Sequence, residues 1–63
     1  MKAINKTYFN LDEPDMPKSV IWDMADEDDN IVIPELVTMT DIGDKSDLIN
    51  MVNKAVRDYE KSL

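Results

Sequence analysis

Asp26-Glu27-Asp28-Asp29-Asn30 is the densest run of side-chain oxygens in the chain, and such a run can do two kinds of chemistry. It can ligate a hard cation, or it can pair carboxylates for proton transfer. A calcium loop of the EF-hand kind places oxygen ligands at positions 1, 3 and 5, glycine at 6 and a bidentate glutamate at 12. With Asp26 first, Asp28 and Asn30 fall on ligand positions, but Ile31 takes the glycine position and Val37 the glutamate position. The run therefore reads as a solvated turn. Asp41-Ile42-Gly43-Asp44 reads similarly, as a loop that leads into a helix cap.

Proton transfer has little else to draw on. The chain contains no histidine and no cysteine, which removes the commonest general base, the thiol nucleophile and the usual zinc ligands. Carboxylates gathered in turns stay in water, and 63 residues leave little room for a cleft that excludes it. The sequence points away from an enzyme, a metal site or a bound cofactor.

What remains is charge. Fourteen acids against seven bases give a net charge of −7, unevenly spread. Residues 1–11 hold Lys2 and Lys6 and no acid, and residues 48–63 hold Asp58 and Glu60 against Lys54, Arg57 and Lys61. The other twelve acids fall in residues 12–47, where only Lys18 and Lys45 oppose them. Such a surface repels nucleic acid and anionic membranes and attracts basic proteins. A dense carboxylate array can also present the charge pattern that a nucleic-acid-binding protein is built to receive. The competing reading is that the acids only keep a small protein in solution.

The elements that would position these residues follow from periodicity. Leu48, Ile49, Val52, Ala55, Val56, Tyr59 and Leu63 recur at spacings of three and four, with Asn50, Asn53, Lys54, Arg57, Asp58 and Lys61 between them. This predicts an amphipathic helix over about 45–62, capped by Asp44 or Ser46. Upstream the period is two: Val20, Trp22 and Met24 alternate with Ser19, Ile21, Asp23 and Ala25, which predicts a strand. Ile31–Thr40 predicts a second strand, and Pro34, lacking an N–H, makes it an edge or marks a bulge. The acidic run between them becomes a hairpin tip. Lys2–Phe9 permits a third strand, and Leu11–Pro17, with two prolines, is a connecting loop. The expected fold is one α+β domain over 1–63, a short antiparallel sheet in the order β-β-β-α with the helix across one face.

Candidate partner-binding residues are then the acids Asp23, Asp26, Glu27, Asp28, Asp29 and Glu35, with Ile21, Trp22 and Leu36 as apolar anchors. Trp22, flanked by Ile21 and Met24, fits a core better than an interface, while Ile21, Leu36 or Val32 would be exposed on a sheet face left uncovered. So thin a domain invites a homodimer, through such a face or through the strand edge near Pro34. The lack of cysteine and of a basic-then-apolar leader suits a reducing cytoplasm, and no apolar run is long enough for a membrane span.

Asp28-Asp29-Asn30-Ile31-Val32-Ile33-Pro34-Glu35-Leu36, then Gly43-Asp44 and the helix, resembles the succession in HicB-type antitoxins of strand, Pro-acid-Leu, Gly-Asp and helix. The resemblance spans about half the chain; the family's hairpin glycines, its Pro-Gly pair and its C-terminal DNA-binding segment have no counterpart. It implies a small acidic protein that neutralises an RNA-cleaving toxin. The residues themselves suggest a broader expectation: an acidic inhibitor or modulator of a nucleic-acid-handling protein, of the kind phages and other mobile elements encode.

Overall fold

A computed structural model describes all 63 residues. Three strands, β1 (Lys2–Phe9), β2 (Lys18–Ala25) and β3 (Ile31–Thr40), are followed by one helix, α1 (Lys45–Lys61). The sheet is antiparallel with β2 in the centre. Alternation along β2 sends Val20, Trp22 and Met24 to one face, where Leu48, Val52 and Val56 of α1 meet them to form the core. Trp22 is 1 % exposed, and its indole N–H donates to the hydroxyl of Thr38 at 2.9 Å, so burial leaves no unpaired polar group there. Leu36, opposite Trp22, is half-buried on the same side.

Both edge strands carry an extra residue beside Asp23. Between Ala3↔Met24 and Tyr8↔Val20, β1 uses one residue more than β2, and between Trp22↔Leu36 and Met24↔Ile33, β3 does the same. Asn5 (φ 56°) and Glu35 (φ 54°) adopt the left-handed backbone that such bulges need. The Asp23 carboxylate joins them, accepting the Glu35 backbone N–H at 2.9 Å through Oδ1 and the Asn5 side-chain amide at 2.9 Å through Oδ2. Both bonds hold its pKa below the usual aspartate value, the Glu35 N–H contributing most. The β1 bulge also accounts for the imperfect alternation of Lys2–Phe9: Ile4 pairs with Asp23 on the open face, while Tyr8 pairs with Val20 on the covered one. Pro34 sits on the outer strand next to the second bulge.

The helix starts where the sequence expects. Asp44 accepts the N–H groups of Ser46 (3.0 Å) and Asp47 (3.3 Å), and Asp47 returns the contact by accepting the Asp44 N–H at 2.8 Å, a closed capping box. Gly43 has φ 148°, and a Cβ there would stand 2.6 Å from the Asp47 carboxylate, so only glycine lets the capping box close. Beyond the helix Leu63 is 76 % exposed and takes no part in the core. No helix is long and apolar enough to cross a membrane.

Candidate protein-binding surface

Antiparallel topology sorts the acids to two ends. The β2–β3 hairpin and the C-terminus of α1 lie at one end; the β1–β2 loop (10–17) and the β3–α1 connection (41–44) lie at the other.

At the hairpin end all the acids but Asp28 have partners. Asp29 (φ 65°) closes the turn by donating its N–H to the Asp26 carbonyl at 3.1 Å. The Asp26 carboxylate accepts the N–H groups of Asp28 (2.9 Å) and Asn30 (3.0 Å) and the Asn30 amide (3.3 Å). Those bonds, the Asn30 N–H foremost, keep its pKa below the ordinary value. Glu27 lies 2.8 Å from the Met1 amino group, whose hydrogen bond is the main reason its own pKa is low. Asp29 pairs with Lys2, and Glu60 also reaches the Met1 amine at 3.2 Å. Asp58 pairs with Lys54 one helical turn away. The one concavity of the fold, an open groove of about 390 Å³ between β1 and α1, is lined by Lys2, Lys6 and Arg57 with Glu60 as its acid.

At the loop end the balance is reversed. Asp12, Glu13, Asp15, Asp41, Asp44 and Asp47 face only Lys18 and Lys45, and no ion pair forms there. Lys18 donates to the Glu13 backbone carbonyl at 3.4 Å, and the Lys45 ammonium lies 4.8 Å from the centre of the Tyr8 ring. Asp44 and Asp47 are held in the capping box, and the Ser46 hydroxyl and the Asp47 and Ser46 N–H groups keep the Asp44 pKa low. The carboxylates of Asp12, Glu13, Asp15 and Asp41 accept no protein hydrogen bond. Among these acids two apolar side chains stand out into solvent: Met16 (47 % exposed) and Ile42 (92 %).

The residues singled out in the sequence are thus divided. Asp26, Glu27 and Asp29 form one cluster at the hairpin tip, and Asp28 among them has the free carboxylate. Asp23 and Glu35 belong to the bulges, and Ile21 lies on the open face of the sheet. Trp22 and Leu36 face the helix instead, because their parity in the strands matches Val20 and Met24; Trp22 is core and offers no surface to a partner. Val37 and Met39, of the opposite parity to Leu36 along β3, take the exposed positions beside Ile21 and Ser19. The loop-end group of Asp12, Glu13, Asp15, Met16, Asp41 and Ile42 does not emerge from the sequence: its two halves are 25 or more residues apart, and only the sheet order brings them to one end. No three acids converge anywhere so as to hold a metal ion. Comparison with family models, curated proteins and solved structures gives no match for this chain.

Proposed function

We propose that this chain is a protein-binding module that inhibits or modulates a nucleic-acid-handling protein by offering its loop end to that protein's basic surface. The observation that supports this reading is the pairing of unneutralised acids, Asp12, Glu13, Asp15 and Asp41, with exposed Met16 and Ile42 at the same end of the fold. Apolar anchors give short-range affinity, and the surrounding carboxylates select a basic partner and speed its approach. The absence of histidine and cysteine argues against chemistry at this end and for recognition alone.

The test is affinity capture from the source cell with the intact chain and with a variant carrying Asp12→Asn, Glu13→Gln, Asp15→Asn and Asp41→Asn. The intact chain should retain nucleic-acid-binding proteins, lose them as salt rises, and release them to added duplex DNA or RNA. The variant should lose most of that capture. Equal capture by the variant, insensitive to salt, would overturn the reading and move the contact to an apolar face, as a housekeeping or antitoxin-like subunit would use.

A further inference from the structure

The face of the sheet opposite α1 has no cover. Its register rows Thr7–Ile21–Val37 and Phe9–Ser19–Met39 contain no charged residue, although a third of the chain is charged. Four of the six are apolar and exposed: Phe9 (42 %), Ile21 (36 %), Val37 (62 %) and Met39 (55 %). The nearest acid on that face, Asp23, already has both carboxylate oxygens bonded within the sheet. A contiguous apolar surface of this kind marks an interface.

We infer that this face binds a second copy of the chain, the two sheets stacking into a sandwich with a helix on each outer side. Two observations select a second copy over the basic partner proposed above. The two apolar rows are uncharged and the one acid beside them, Asp23, is already bonded within the sheet, so they give a basic protein little to recognise, whereas they are complementary to themselves across a twofold axis. The covered face alone buries few residues, 7 of 63, so a second apolar layer supplies what a chain of this size lacks. Like charge fixes the arrangement: a twofold axis perpendicular to the strands keeps the two acidic loop ends at opposite extremes, where an axis along the strands would bring them together. The inference concerns a different surface from the proposed partner site and stands or falls separately from it.

Sedimentation equilibrium of the intact chain, with far-ultraviolet circular dichroism to verify folding, tests it. A dimer is expected at micromolar concentration, and a species that stays at 7.3 kDa up to several hundred micromolar overturns the proposal. Val37→Lys with Met39→Lys, both on an edge strand, should leave the spectrum unchanged and weaken dimerisation on the order of a hundredfold or more, because each copy would then bury two unpaired cations. A dimer indifferent to those substitutions would assign association to a strand edge and also overturn the proposal. Because the chain has no cysteine, single cysteines give an independent readout. Ile21→Cys, in the middle of the face, should cross-link two copies through a short bis-maleimide that spans the ~10 Å between stacked sheets, whereas Asn53→Cys, on the exposed side of the helix, should not; equal cross-linking of the two would contradict the stacked arrangement.

Discussion

At the hairpin end Asp26, Glu27 and Asp29 each have a partner within the fold, whereas at the loop end Asp12, Glu13, Asp15 and Asp41 have none. The two ends carry similar acids in different surroundings. The contrast arises from topology: β1 begins, and α1 ends, beside the hairpin, so Lys2, Lys6, Lys54, Arg57 and Lys61 all gather toward that end. An acid count along the chain places the weight at the hairpin tip; the fold turns that tip into a hydrogen-bonded turn and leaves the uncompensated charge at the opposite extreme. A local run of acids is therefore a poor guide to uncompensated charge, and the distribution of counter-charges after folding is a better one.

Both ends are held by one core, and breaking it should have the largest effect. Val52 is 1 % exposed, so Val52→Asp sets an unpaired charge against Trp22 and Met24 and should cost about 4 kcal/mol or more, enough to unfold the chain. Asn53→Asp, on the exposed side of the same turn, should melt close to the parent. Circular dichroism melts separate the two.

Gly43→Ala should come next, at about 1–3 kcal/mol, since it strains the backbone and presses a methyl group on Asp47. The change disturbs the loop end alone, so amide exchange should rise in the first turn of α1 while the hairpin stays protected.

How far the sequence carries is visible in these same residues. Period-two alternation around Trp22 and the three-four spacing around Val52 are enough for β2 and α1 and for a cap at Asp44 or Ser46, of which the fold uses Asp44, because each depends on near neighbours; Lys2–Phe9, with its bulge, only permits a strand. Pro34 marked the place of a bulge, but Asn5 and Glu35 gave no comparable sign, since neither is the glycine that a left-handed bulge residue usually is. With the bulges hidden, the partner of Asp23 was hidden too. The pairings of Asp29 with Lys2 and of Glu27 with Met1 join residues 26 or 27 apart, and depend on a strand register that local spacing does not encode. Trp22 and Leu36 stood out as anchors because large apolar residues look alike whether they serve a core or an interface.

Acid should weaken the hairpin turn, the bulges and the helix cap alike. Asp23, Asp26, Glu27 and Asp44 have folded pKa values below their ordinary ones, so each contributes stability that is complete above the unfolded value, about 4, and is lost as pH falls through the folded value. Melting temperature should hold near neutrality, begin to fall as pH approaches 4 and continue downward below it. Asp26→Ala should lower the melting temperature by several degrees at pH 7 and flatten the acid limb, because the turn loses its acceptor. A flat profile for the parent would show that the turn bonds contribute nothing.

The smallest effect on stability is expected where the effect on binding is greatest. Neutralising Asp12, Glu13 and Asp15 removes like-charge repulsion without removing a hydrogen bond, so the melting temperature should stay or rise slightly.

The most direct test sets two variants of equal charge side by side, Asp12→Asn/Glu13→Gln/Asp15→Asn at the loop end and Asp26→Asn/Asp28→Asn/Asp29→Asn at the hairpin tip. For each, the association rate with the partner recovered by affinity capture is measured against ionic strength, together with the melting temperature. The loop-end variant should melt like the parent but associate on the order of tenfold more slowly at low salt, with a flatter salt dependence. The hairpin variant should melt lower, through loss of the Asp29–Lys2 pair and of the charged turn acceptor, and associate at nearly the parental rate. Slow association of the hairpin variant with an unaffected loop-end variant would contradict the assignment of binding to the loop end.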